Sequence, residues 1–128
     1  MWLRNFITGR SHCTKVGDTL SEFVDLLSRV IQGSALGPLL FLTFINELAE
    51  ILEKFGITVI LFADDVKLYV KIITDVDLSV LQAAINALCQ WADTWQLSIS
   101  VEKSCALCIG KTVPSTPLSI NGASLPLC

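Results

Sequence analysis

Asp64 and Asp65 are the residues in this chain best placed to do chemistry. The two carboxylates are adjacent and join two apolar, β-prone runs, Val59-Ile60-Leu61-Phe62 before them and Val66, Leu68, Tyr69 and Val70 after. The short gap between the runs predicts a β-hairpin with Asp64 and Asp65 at its tip. Tight hairpins favour Asn-Gly or Asp-Gly, so a bare Asp-Asp pair calls for another reason. Two neighbouring anions at the end of a buried strand repel each other and lose hydration. A divalent cation removes both penalties, and hard carboxylate oxygens suit Mg²⁺ or Mn²⁺. A solvated acidic turn is the plain alternative. The apolar flanks, which hold the pair in place, favour the metal site.

The elements around this hairpin must position it. Ile31-Gln-Gly-Ser-Ala-Leu-Gly-Pro38 forms a shaped loop, with Pro38 suited to the first turn of a helix. Apolar residues then recur at Leu39, Leu42, Ile45, Ala49 and Leu52, with Phe41 and Leu48 widening the stripe. Asn46, Glu47, Glu50 and Glu53 fall largely outside it, and Gly56 sits where a C-cap glycine belongs. A glycine-rich turn opening a helix offers free backbone N–H groups to a phosphate or nucleotide edge, although an N-capped core helix has the same pattern. The loop lacks the Gly-Lys-Ser/Thr of a P-loop.

After the hairpin, Thr74-Asp75 or Asp77 caps a further helix, whose stripe is Leu78, Leu81, Ile85, Leu88, Ala92 and Trp95. Trp91 and Trp95 read as packing residues. Leu97 to Glu102 alternates as a strand would, Lys103 follows in a turn, and Leu107 to Ile109 reads as another strand. Asn121-Gly122 is a strong hairpin signal. Before the glycine-rich loop, Trp2 to Ser11 predicts a helix end running into a turn. A short extended piece follows around Cys13 to Val16, and Phe23 to Leu27 fits either strand or helix.

Composition sets the outer limits. A chain of 128 residues is one domain or part of one, and 52% hydrophobic residues against 16% charged is a high apolar share. The longest apolar run, Ala35 to Ile45, contains Gly37, Pro38 and Thr43 and is too short to span a bilayer, so no membrane partner is expected. The start has no signal-peptide core or cleavage site. The surplus of apolar surface, and an end at Cys128 within an apparent strand, mark a fragment whose partner surface lies elsewhere.

Net charge is −3 with no lysine or arginine cluster, which argues against a self-sufficient nucleic-acid binder. Five cysteines without a secretory signal read as reduced thiols. Cys105-Ala-Leu-Cys108 has zinc-knuckle spacing but no second ligand pair, so these read as packing thiols.

Gln32-Gly33-Ser34-Ala-Leu-Gly37-Pro38-Leu-Leu-Phe41, then Ile45-Asn46, then Phe62-Ala63-Asp64-Asp65 some thirty residues after the glutamine, resembles the reverse transcriptases of non-LTR (LINE-like) retrotransposons. Trp2-Leu3 with Thr8-Gly9-Arg10, Gln90-Trp91, Trp95-Gln-Leu-Ser-Ile and Glu102-Lys103 extend the resemblance over nearly the whole chain. It implies an α+β fold: a polymerase palm-like antiparallel sheet backed by two helices, incomplete because fingers, thumb and first catalytic strand are missing. Residues 1–128 are then a partial reverse transcriptase domain.

By the same resemblance, Asp64 and Asp65 bind two Mg²⁺ (or Mn²⁺) ions for nucleotidyl transfer, with Asp64 carrying the heavier share. Phe62 and Ala63 lie against the primer terminus. Gln32, Gly33 and Ser34 shape the floor for template and incoming nucleotide, and Lys103 serves the triphosphate. The implied partners are an RNA template, a DNA primer and a dNTP, with no small-molecule organic cofactor and a nuclear location.

The chain departs from the family pattern in three places. Ile31 stands where the family has proline, and Val101-Glu102 where it has an asparagine before the lysine. The first catalytic aspartate, expected tens of residues before Gln32, has no counterpart, since only Asp18, Glu22 and Asp25 precede it. This incomplete carboxylate set predicts no polymerisation by the chain alone. A degenerate or co-opted remnant acting as a non-catalytic interaction module is the alternative. A receiver-like signalling domain would need its acids in a strand-to-helix loop, whereas here a strand follows Asp65.

Overall fold

The computed structural model describes residues 2–27, 33–110 and 116–128. The chain is a mixture of helices and small antiparallel ladders, and it divides into two compact units, Met1–Thr43 and Phe44–Cys128. Among the described residues the strands form four separate two-stranded antiparallel sheets.

In the first unit, helix α1 (Trp2–Ile7) ends at Gly9, whose φ of +66° turns the chain toward a nested hairpin. Strand β1 (Ser11–His12) pairs with β4 (Val24–Asp25), and inside them β2 (Lys15–Val16) pairs with β3 (Thr19–Leu20). The ambiguous stretch after Glu22 is thus a strand. The Thr14 N–H donates to Ser21 Oγ at 2.9 Å, which joins the two ladders. No described residue of this unit is fully buried.

Helix α2 (Gly37–Glu53) begins where the proline signal places it. Its opening N–H, on Gly37, donates to Ser34 Oγ at 3.0 Å, so the serine hydroxyl satisfies one of the orphan donors of a helix start. In the second unit Ile45, Leu48 and Leu52 are buried, the last two almost completely. Truncating either leucine to alanine costs about 2–5 kcal/mol. The Gly56 N–H reaches the Glu53 carbonyl at 2.9 Å with φ +69°, the C-terminal glycine that the sequence predicts.

Strands β5 (Thr58–Phe62) and β6 (Asp65–Tyr69) form the central hairpin, followed by α3 (Asp75–Thr94). The Asp77 carboxylate accepts the Ile73 and Thr74 N–H groups, each at 2.8 Å, and the Thr74 hydroxyl at 3.1 Å. These bonds stabilise the ionised form and hold the Asp77 pKa below its ordinary value.

The buried face of α3 comprises Leu78, Leu81, Ala84, Ile85, Cys89, Trp91 and Ala92. This corrects the expected stripe, because Trp95 is exposed and Leu88 only half-buried. Leu81, Ile85 and Cys89 join Ile120 and Leu125 in one core cluster, against which Leu68, Val70, Ile99, Val101, Ala106 and Leu118 pack.

The segment after α3 also departs from expectation. Leu97 to Ser100 is not a strand, because the Leu97 N–H is spent on the Ala92 carbonyl and the Gln96 N–H on Asp93. These two bonds are the Schellman ending of a helix, with Gln96 at φ +56° in the position glycine prefers. Val101–Lys103 then forms a 3₁₀ turn. Among the described residues Leu107 to Ile109 forms no strand either, and the pairing beside it is the isolated parallel bridge Ala106↔Leu127.

The Asn-Gly hairpin is present as β7 (Ser119–Ile120) and β8 (Ala123–Ser124), with Asn121 and Gly122 both at positive φ. Gln82 of α3 clamps it: its amide accepts the Ser119 N–H and donates to the Ser119 carbonyl, both at 2.9 Å. Cys105 and Cys128 are joined in a disulfide beside that bridge, which corrects the expectation that both are reduced packing thiols. Cys13, Cys89 and Cys108 are free. No helix of the described residues is long and apolar enough to cross a membrane.

Candidate catalytic hairpin

The hairpin register is Thr58↔Tyr69, Val59↔Leu68, Ile60↔Lys67, Leu61↔Val66 and Phe62↔Asp65. Val59, Leu61, Val66 and Leu68 therefore share one half-buried face, and Ile60, Phe62, Asp65, Lys67 and Tyr69 share the exposed one. The inner face is held by the α3 core cluster through Leu68, with Val70 just beyond the strand.

The tip is not Asp64-Asp65. The two loop residues are Ala63 and Asp64, and Asp65 opens β6 opposite Phe62. Ala63 takes φ +51°, the left-handed conformation that a tight two-residue loop imposes on its first position. This register places one carboxylate on the turn and the other on the strand, instead of crowding both into the loop. Both aspartates are exposed, so the expected burial penalty does not arise. The case for a cation rests on two hard-oxygen donors side by side, not on desolvation.

Phe62, Ala63, Asp64 and Asp65 thus converge on one exposed tip, with Phe62 76% exposed. Lys103 ends the 3₁₀ turn, and that turn's Val101 packs against the same core cluster as Leu68 of the hairpin. Gly33 and Ser34 precede α2 in the other unit, and the Ser34 hydroxyl is engaged by the Gly37 N–H. Gln32 lies outside the described residues.

Among the described residues no three His, Cys, Asp or Glu side chains cluster closely enough to hold a metal. The aspartate pair fits Mg²⁺ or Mn²⁺ in chemistry but supplies only part of a ligand set.

Sequence reasoning missed Glu47, placed on the solvent side of α2. Its Oε2 accepts both the Trp91 and the Trp95 indole N–H, each at 3.0 Å. Phe44 packs against the same two rings, edge-on to Trp95 at 4.8 Å. The indoles are therefore packing residues, as expected, and what they pack on is α2. The signal was available in principle, since Phe44 and Glu47 are three apart and share a helix face.

A family model described as "Reverse transcriptase (RNA-dependent DNA polymerase)" matches residues 1–122. The "RNA-directed DNA polymerase from mobile element jockey" of Drosophila melanogaster is 27% identical over 94% of this chain. The match covers 14% of that relative's length. No solved structure matches the chain.

Proposed function

This chain belongs to the reverse transcriptase (RNA-dependent DNA polymerase) family, and from that premise we propose that it is a palm-region segment of an RNA-directed DNA polymerase of the non-LTR retrotransposon type. The observation that carries this reading is the hairpin: one face anchored in the core, with Asp64 and Asp65 together at its exposed tip.

In this reading the two carboxylates hold Mg²⁺ or Mn²⁺, Asp64 bearing the heavier share. Asp64 and Asp65 would hold the ion, which when bound would supply Lewis-acid activation of the primer 3′-hydroxyl and charge neutralisation at the leaving pyrophosphate. The remaining work falls to the chain. Phe62 offers its exposed ring to the primer terminus, and Ala63 leaves room there. Lys103 neutralises or protonates the leaving group. The family resemblance assigns Gln32, Gly33 and Ser34 to the RNA template and incoming dNTP. Those substrates, and the activity itself, belong to a longer polypeptide. With two candidate carboxylates and no third beside them among the described residues, the chain alone is expected not to extend a primer.

Titration with Mn²⁺, followed by the loss of its free EPR signal, tests the site directly. The wild-type chain should bind the ion weakly, and the D64N/D65N double variant should lose that binding. Equal titration curves would favour a degenerate or co-opted retrotransposon remnant acting as a non-catalytic interaction module.

A further inference from the structure

Cys105-Ala-Leu-Cys108 carries a chemistry that the catalytic hairpin does not use. Cys105 is bonded to Cys128, 23 residues on, while Cys108 is a free thiol. Both bonded cysteines are exposed, and Cys108 is half-buried. A disulfide open to solvent is the labile kind, and a thiol so close in sequence is a ready intramolecular attacker.

The backbone around the bond decides what such an attack does. Ser104 is extended, Ala106 makes the parallel bridge to Leu127, and exposure alternates residue by residue from Cys105 to Ile109. Ala106 donates its N–H to the Pro126 carbonyl at 2.9 Å and accepts the Cys128 N–H at 3.0 Å. In an extended chain three residues span about 10 Å, and residues that far apart fall on opposite faces. A disulfide needs its Cα atoms within about 7 Å of each other. Cys105 and Cys128 satisfy this at 6.1 Å. Cys105 cannot join Cys108 while Ala106 stays in its bridge.

We propose that these three cysteines form a thiol–disulfide switch with two mutually exclusive bonds. The Cys108 thiolate attacks Cys105 Sγ, and the Cys105–Cys128 bond breaks as the Cys105–Cys108 bond forms. Cys128 leaves as a thiolate and takes up the proton that Cys108 gave up. No electrons leave the chain, so the step needs no outside oxidant. The new bond folds residues 105–108 into a turn, withdraws Ala106 from Leu127 and frees Pro126–Cys128. Ala106 and Val101 pack against the same core cluster, and Lys103 lies between them in sequence. The exchange therefore loosens the turn that carries Lys103, whatever that lysine does in catalysis.

Disulfide mapping of the full chain tests the proposal. The chain is held without oxygen or added thiol in mildly alkaline buffer, where thiolates are abundant, then acid-quenched, alkylated and analysed by peptide mass spectrometry. The wild type should distribute between the Cys105–Cys128 and Cys105–Cys108 bonds, with Cys128 alkylated in proportion to the second. Cys108→Ser and Cys108→Ala should keep Cys105–Cys128 alone, and Cys13→Ser should behave as wild type. After separation of the two wild-type isomers, hydrogen exchange reads the backbone. The Ala106 and Lys103 amides should exchange at least about tenfold faster in the Cys105–Cys108 isomer.

A wild-type chain that holds Cys105–Cys128 alone overturns the proposal. So does exchange that runs through Cys13 or Cys89 instead, or equal protection of these amides in the two isomers. None of these outcomes bears on the Mn²⁺ titration, and failure of that titration leaves the switch standing.

Discussion

The β5–β6 and β7–β8 hairpins are built on the same plan with opposite turn chemistry. Each closes with a two-residue loop, and the first loop residue is left-handed in both: Ala63 at φ +51° and Asn121 at φ +49°. Asn121-Gly122 suits that backbone, whereas alanine there costs about 1–2 kcal/mol because its Cβ crowds the following carbonyl. The comfortable turn closes a ladder of two residue pairs and the strained one a ladder of five. A longer ladder with a core-packed face can carry a turn that a short one could not. A turn chosen for stability would be Asn-Gly; the one that is not carries the adjacent carboxylates. Strain held at a candidate site by its surroundings is a recurrent mark of function.

Four experiments test this contrast. The largest effect is on chemistry: in a polymerase carrying this hairpin, Asp64→Asn should lower primer-extension rates by about a thousandfold or more, as expected when a metal ligand is lost. Asn121→Asp at the other turn should leave the rate unchanged.

Next comes the turn itself. Ala63→Val places a β-branched side chain at positive φ and should destabilise the chain by about 2 kcal/mol in urea unfolding. Ala63→Gly should stabilise it by up to about 1 kcal/mol. If valine is tolerated, Ala63 is not strained in solution.

The comfortable turn should respond more mildly. Asn121→Ala should cost about 1 kcal/mol, making this turn resemble the other.

The smallest effect concerns the cap between the hairpins. The folded pKa of Asp77 is depressed below its ordinary value of 3.8, so its contribution to stability is fully present above that pH. It is lost as pH falls through the folded pKa. Unfolding measured from neutral pH down through that window should show the loss in wild type and a flatter profile in Asp77→Asn.

Much of this was legible in the sequence. The three-and-four periodicity marked α2 and most of α3, the Thr74…Asp77 spacing marked the cap, and Asn-Gly marked the last hairpin. The register of the central hairpin was not, for a physical reason. Sliding β6 by two residues keeps Val59, Leu61, Val66 and Leu68 on the same face, so hydrophobic alternation accepts either register. Only the turn decides, and Ala63-Asp64 carries no recognised turn signature. The strand expected after α3 failed for another reason: the helix ending on Gln96 claims the backbone donors that a ladder would need. Glu47 escaped notice because a carboxylate on the polar side of a helix reads as solvated until two indoles are known to reach it.

The most direct measurement is primer extension by the mobile-element relative with its hairpin replaced by residues 57–72 of this chain, assayed with and without Asp64→Asn. If the hairpin is a catalytic tip, the chimera extends an RNA-templated primer in Mg²⁺ and the substitution abolishes it. A chimera that extends equally well with and without the substitution would contradict that assignment.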